Sequence, residues 1–291
     1  MEILSTLING LSQGGIYAMI ALGYTMVYGI AKMLNFAHGD IIMAGGYTLL
    51  VMIGLISNPL VAVLAAVIMC VILGVVIEKV AYKPLRGASP LAVLITAIGV
   101  SYLLQNLMWY ITGGLAKQYP VLPGLSQTIQ IGSATTKLVT IVTPVLTIAL
   151  VVALVMLINH TKIGMAMRAV SVDFETSQLM GIKINNVISV TFIIGSAMAA
   201  IGSLLYFTNY TAVTPTVGAM PGLKAFVAAV FGGIGSIPGA MIGALIIGIC
   251  ENLIKAAGWT AFSDAFTFAL LIVVLLFRPT GLFGEKTTDK V

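Results

Sequence analysis

Residues able to do chemistry are few in this chain, and their spacing excludes more than it offers. His38 and Asp40 stand two apart in Leu34-Asn35-Phe36-Ala37-His38-Gly39-Asp40, which brings an imidazole and a carboxylate into one short stretch. A hydrolase could be drawn from that pair, but no activated nucleophile with its base accompanies it. His38 and His160 are the only histidines, so there is no His-Glu-x-x-His zinc site, and no Gly-x4-Gly-Lys-Ser/Thr phosphate loop occurs. The chain is expected to carry no catalytic residue, metal or other cofactor, and not to hydrolyse ATP itself. Cys70 and Cys250 each sit inside an apolar run as small hydrophobes, with no disulfide implied. Glu251 has Lys255 four residues later and reads as a neutralised pair near a membrane interface, while Glu78, beside Lys79, reads as interfacial.

The elements that must position these groups are membrane helices. Of 291 residues, 59% are hydrophobic and 8% charged, with mean hydropathy +1.11. Soluble domains carry about 25% charged residues, so a water-soluble globule is excluded. The apolar runs are long and Gly-interrupted rather than alternating, which argues against a barrel. The fold class is all-α: a single polytopic helical membrane domain over 1–291. Spans are expected near 8–30, 41–57, 60–80, 90–111, 137–158, 185–207, 223–237, 239–255 and 262–278. The pairs divided by Asn58-Pro59 and Pro238-Gly239 are tightly joined, so eight to ten crossings is the range. No basic region precedes the first run, which is expected to stay as a span.

The net charge of +5 comes from scattered single residues at the ends of apolar runs, a topology signal and not a nucleic-acid surface. With nine spans, Lys32, Lys79, Lys83, Arg86, Lys162, Arg168, Lys183, Arg278, Lys286 and Lys290 fall on one side, and Lys117, Lys137, Lys224 and Lys255 on the other. By the positive-inside rule the first side is cytoplasmic, the N-terminus outside and the C-terminus inside. The polar segment 112–136, with Pro120 and Pro123, becomes the main outer loop, and the stretch from Asn209 to Gly222 a second outer segment.

Two Gly-dense polar stretches lie at membrane depth. One runs from Leu34 to Asp40 and is followed by Gly45-Gly46; the other runs from Phe231 to Ala240, FGGIGSIPGA. Non-helical backbone inside a bilayer must be buried in protein or line a cavity, and paired Gly-broken segments point to a translocation pathway. Asn35, Phe36, His38, Gly39, Asp40, Gly232, Gly233 and Ser236 are the pathway candidates. A tight turn between spans, with Asn35 or Asp40 as a helix cap, stays open for each. Gly23, Gly29, Gly74, Gly99, Gly195, Gly202, Gly243 and Gly248 read as packing positions.

Between two apolar runs lies the charge-dense segment 161–182, TKIGMAMRAVSVDFETSQLMGI. On a helical wheel Met165, Ala169, Val172, Thr176 and Leu179 form one stripe, and Arg168, Ser171, Glu175 and Gln178 a polar one, while Met167, Val170 and Phe174 point away from the first. Two apolar faces suit a helix covered on both sides, and an interfacial helix lying on the membrane remains the alternative. Ser171 could also cap a new helix with Asp173 and Glu175 in its first turn.

Three long segments in register, GLSQGGIYAMIALGYTMVYGIAKMLNFAHGD, the segment 161–182 and KAFVAAVFGGIGSIPGAMIGALIIGICENL with FRPTGLFG, closely resemble the LivH-type permease of branched-chain amino acid ABC importers. The resemblance covers nearly the whole chain. It implies an inner-membrane subunit that alternates access and pairs with a second, LivM-type permease, two cytoplasmic ABC ATPases and an extracytoplasmic binding protein. Leucine, isoleucine and valine are the implied substrates; permeases for other amino acids, amides or urea are the near alternative. The resemblance also assigns 161–182 as the coupling segment, with Gly164, Met167, Arg168, Asp173, Phe174, Glu175 and Gly181 in or beside the ATPase contact, and Phe174 or Met167 turned towards the ATPase. Many members carry Arg after the first Gly and a further charge near the following alanines, where this chain has Met165 and Val172. An ion-coupled secondary transporter is the rival from another class, but its candidate ionisable residues reduce to Asp40 and Glu251. A purely structural membrane subunit would not require two Gly-rich breaks.

Overall fold

The computed structural model describes residues 2–56, 58–119, 124–131 and 134–284. Pro120, Pro123, Lys286 and Lys290 lie outside the described residues. Among those described, eight helices are long and apolar enough to cross a membrane, so the chain is a multi-pass, all-α membrane protein. Helix α1 (Glu2–Ala31) is the axis and the most buried of them. We call the end of the bundle holding its C-terminus basal and the other apical.

Around this axis stand α2 (His38–Ile56), α8 (Ile184–Asn209), α9 (Ala219–Gly232) and α10 (Ile237–Ala256), with α3 (Pro59–Ile77), α4 (Pro90–Thr112), α5 (Leu138–His160) and α11 (Ser263–Phe277) outside them. Helices in a bilayer gain little by burying Leu against Leu, so close backbone approach decides the packing. A Cβ on Gly10 would lie 2.8 Å from the Ile249 Cα, and one on Gly14 2.7 Å from the Leu245 Cα. These glycines seat α10 antiparallel on α1. Of the packing positions read from sequence, Gly99 is the exception: nothing lies near it on the outer helix α4.

Asn58 caps α3 and Ser89 caps α4 through their side-chain oxygens, each followed by Pro in the first turn, which needs no N–H there. The basal end of α3 runs on through a π-helical turn, Glu78–Tyr82, and a 3-10 turn, Lys83–Leu85. That winding turns Glu78 inward, where it is buried, pairs with Arg86 and accepts the Ser189 hydroxyl at 2.9 Å. Glu78 is thus a buried helix-to-helix tie at the basal end.

The second Gly-rich stretch is corrected by its place. Gly233 and Gly235 take positive φ (108° and 100°), and Ser236 caps α10 through its hydroxyl, so Phe231 to Ala240 is a tight turn at the basal end. Phe283 N–H donates to the Gly232 carbonyl at 2.9 Å, sealing that turn against the segment after α11. The break falls at 233–236, and Pro238 belongs to the first turn of α10.

At the apical end, loop 113–137 carries β1 (Lys117–Gln118), β2 (Thr128–Ile131) and β3 (Ala134–Lys137). Strands β2 and β3 form a hairpin, while β1 pairs antiparallel with β4 (Ala212–Val213) in the segment leading to α9. Beneath this clasp Tyr119 is buried and stacks on Phe207 at 5.7 Å.

A buried charge network fixes α9 to its neighbours. Lys224 of α9 donates to Glu251 of α10 at 2.8 Å and to Asp264 of α11 at 2.6 Å. Glu251 is 1% exposed and also accepts from Lys255 at 2.6 Å and from the Tyr17 hydroxyl of α1 at 2.8 Å. The Glu251–Lys255 pair expected from sequence exists, but the deeper partner is Lys224, which the charge count had set among the outer-side basic residues. Removing Lys224 leaves buried Glu251 in a poor dielectric with Lys255, itself 32% exposed, as its remaining cation. Lys224→Met should destabilise the detergent-extracted protein by about 3–5 kcal/mol, read as a lower thermal midpoint, whereas Lys255→Met, at a 32%-exposed side chain, should shift it far less.

Candidate functional site

The candidate site lies where two helices begin inside the bundle. After α1 the chain turns at Lys32 and re-enters as Met33 to Ala37, so that α2 starts against the middle of α8. His38 marks the level, because its imidazole lies between Gly23 of α1 and Gly195 of α8. A Cβ on Gly23 would overlap that ring, and one on Gly195 would touch it at 3.7 Å. From the other end, residues 214–218 descend past the β4 clasp, and α9 begins beside Gly39. A Cβ on Gly39 would come 2.6 Å from the Gly218 carbonyl oxygen, and one on Gly222 2.8 Å from the Gly39 Cα. The N-terminal turns of α2 and α9 therefore abut in the interior. Helix α9 has 14 residues, about 21 Å at 1.5 Å per residue, which is too short to cross a ~30 Å core alone.

Both helices point the positive ends of their dipoles at this junction, together with N–H groups that lack partners within the helix. Asp40, in the first turn of α2 and 1% exposed, supplies negative charge there and accepts from Gln105 Nε2 of α4 at 2.9 Å. Asn35 is held from the side, its Oδ1 accepting the Tyr82 hydroxyl at 2.9 Å. Backbone bonds from His38 N–H to the Asn35 carbonyl and from Asp40 N–H to the Ala37 carbonyl, both 3.1 Å, close the turn. Phe36 and Tyr24 meet Phe226 of α9 at 5.2 and 5.8 Å between ring centres.

Asn35, His38, Gly39 and Asp40 thus come together, yet all four are buried within the chain, and Phe36 is half-buried. The exposed groups at the junction belong to α9 and its approach: Thr216, Ala219, Met220 and Leu223. Gly232, Gly233 and Ser236 stand apart, in the basal turn. The second half of the interior break is the stretch Thr214 to Gly222, TPTVGAMPG, taken from sequence for an outer loop. Its signal was present in an apolar run too short to span, preceded by glycines four apart.

At the basal end, segment 161–182 forms two helices, α6 (Lys162–Val172) and α7 (Phe174–Leu179). Asp173 between them is extended, and its carboxylate accepts the Glu175 and Thr176 N–H groups and the Thr176 hydroxyl at 2.7–3.2 Å. The Thr176 bonds hold this carboxyl below its ordinary range, so it stays charged at the α7 N-terminus. The cap is Asp173, and Ser171 instead donates to the Arg168 carbonyl. Met167 is corrected as well. With Val170 it is buried against Met19, Leu22 and Met26 of α1 and Leu154 of α5, so it cannot turn towards an ATPase. The free apolar stripe is the other one: Met165, Val172, Leu179 and Met180 are 62%, 87%, 88% and 79% exposed. Phe174 is half-buried, Arg168 is exposed but bonds back to Asn159 Oδ1 at 2.9 Å, and Glu175 is exposed. Gly164 lies flat against the Ile158 backbone, and Gly181 (φ 82°) ends α7 in the left-handed conformation open to glycine.

The imidazole between two glycines gives a reciprocal test. Gly23→Ala should cost about 1–3 kcal/mol through overpacking, seen as a lower thermal midpoint of the purified protein. Adding His38→Ala should recover most of that loss, because the space the new methyl needs is then empty.

Comparison with known proteins follows this geometry. A family model described as the permease component of the branched-chain amino acid transport system matches residues 6–275. The chain is 43% identical over 300 residues to the high-affinity branched-chain amino acid transport system permease protein BraD of Pseudomonas aeruginosa, covering 99% of this chain and 98% of that one. It is 41% identical over 303 residues to LivH of Escherichia coli, at 99% and 97% coverage. A more distant relative, the ribose import permease RbsC of Escherichia coli, is 24% identical over 93% of this chain and 84% of its own length. Among solved structures, PsaBC from Streptococcus pneumoniae in complex with Fab aligns with TM-score 0.50 and 11% identity over 94% of this chain and 92% of that one, a likeness of fold alone. The chain belongs to the permease family of branched-chain amino acid transport systems.

Proposed function

We propose that the chain is a permease subunit of an ABC importer for leucine, isoleucine and valine, with ATP hydrolysed on partner subunits. The substrate reading is supported by relatives above 40% identity along almost the full length. The transport reading is carried by one observation, the meeting of two helix N-termini inside the bundle with an exposed first turn on α9. Positive helix ends suit the carboxylate of an amino acid, and Met220 and Leu223 offer apolar contact for its side chain. In this reading Thr216, Ala219, Met220 and Phe36 border the pathway. Asn35, His38, Gly39 and Asp40 hold the junction from behind.

Sidedness follows from charge. Lys32, Lys79, Lys83, Arg86, Lys162, Arg168, Lys183 and Arg278 lie towards the basal end, against Lys117, Lys137 and Lys255 at the apical end, so the basal end is cytoplasmic and the N-terminus outside. Segment 161–182 then meets an ATPase through Met165, Val172, Leu179 and Met180, and loop 113–137 faces the binding protein. The partners are a second, LivM-type permease, two ABC ATPases and that binding protein.

Two outcomes follow. Val172→Glu with Leu179→Glu, placing two charges in an apolar contact, should weaken ATPase co-purification by on the order of tenfold or more, since 1.4 kcal/mol is tenfold; the buried Met167→Leu should leave it intact. Met220→Trp should abolish ATP-driven uptake of labelled leucine into proteoliposomes of the complete importer while ATP hydrolysis continues. Unimpaired leucine uptake in this variant would remove α9 from the pathway.

A further inference from the structure

A cleft of about 1110 Å³ opens at the basal end between the end of α1, the 85–91 link, α7 and the start of α8. Three of its lining residues are cationic, Lys32, Arg86 and Lys183, and no carboxylate is among the described residues that line it. Arg86 pairs with Glu78 through Nη2 and donates to Asn185 Oδ1 through Nη1, and its Nε is buried without a hydrogen-bond partner. Two helices begin here. Helix α8 has no side-chain cap at Lys183, which leaves first-turn N–H groups for a ligand. Lys32 sits at φ 55°, a conformation costly for a side-chain-bearing residue, and so ends α1 on the rim of the cleft with an exposed side chain.

The rest of the wall is apolar and runs outward. Leu91 and Leu94 of α4 line the cleft, and Leu91 is 64% exposed. One turn further, Ile95 and Ile98 continue that exposed strip along the same helix. Cations at the mouth joined to a membrane-facing apolar strip match a molecule with an anionic head and hydrocarbon tails. A free phosphate would use the cations and leave the strip bare.

We propose that this cleft binds an anionic phospholipid, its phosphate between Arg86, Lys32 and Lys183 and an acyl chain along Leu91, Leu94 and Ile95. The site does not depend on the transport reading. A lipid seated there also touches Phe174 and Gln178 of α7, both part of the same wall.

The test is native mass spectrometry on the membrane-extracted protein, with whatever subunits co-purify, titrated with phosphatidylglycerol or phosphatidylcholine. Arg86 is left alone because it supports Glu78, and Lys32→Gln with Lys183→Gln is the charge variant. Wild type should retain phosphatidylglycerol in preference to phosphatidylcholine, the double variant should lose at least tenfold of that retention, and millimolar inorganic phosphate should not displace the lipid. Leu94→Trp, which narrows the apolar wall at constant charge, should weaken retention as well. Equal retention of the two lipids, undiminished retention in the charge variant, or displacement by phosphate would overturn the proposal.

Discussion

A bilayer offers no water to a backbone that leaves its helix, so every freed N–H and C=O must find a partner inside the protein or face a polar passage. The structure depends on how that constraint is met at one place, the junction of α2 and α9. Gly39, Gly218 and Gly222 bring the two N-terminal turns into backbone contact, and the turn bonds at Asn35 and Ala37 close one approach. Nothing bulkier than glycine fits there, and two positive helix ends brought together favour an acid nearby. Asp40 supplies that acid, with Gln105 of α4 holding one of its oxygens.

Much of the remaining fold supports this junction. The axis helix α1 lends Gly23 to the His38 ring and, through Tyr17, a hydroxyl to Glu251. Helix α9 would be a loose, short rod without Lys224, whose two acidic partners tie it to α10 and α11. The β1–β4 clasp joins the long apical loop to the segment leading into α9. At the opposite end α6 rests Met167 and Val170 on α1 and α5, so segment 161–182 is packed on the same axis. Exchange between outward and inward access needs such packed elements with discrete arrangements.

The parts of this design visible in the sequence were those written in composition and period. Eight of the nine expected spans, the all-α class, the Gly-rich break at Leu34 to Asp40 and the two-faced segment 161–182 follow from hydropathy and wheel spacing, while the span expected at 223–237 is the half-length α9. What stayed hidden depends on depth and on distant pairing. Thr214 to Gly222 carries the Pro and Gly of a surface loop, and its contact with Gly39 fixes as interior what the short run after it only hinted at. Phe231 to Ala240 has the same residues but falls at a basal turn. Lys224 resembles a topology charge until Glu251, 27 positions away, is found beside it. On the 161–182 wheel both apolar stripes were legible, but which one faced inward was not, because that is decided by α1 and α5.

The measurement that bears most directly on the central claim is thiol labelling of an Ala219→Cys variant, in a background free of Cys70 and Cys250, within the complete importer in proteoliposomes. A hydrophilic maleimide should react with Cys at that position at a rate that changes when ATP is supplied, and leucine delivered by the binding protein should slow it. A Cys placed at Leu103, on the outer face of α4, should not respond to either. If the position on α9 is unreactive in every state, or reacts without regard to ATP and substrate, the junction is packing alone and the pathway runs elsewhere.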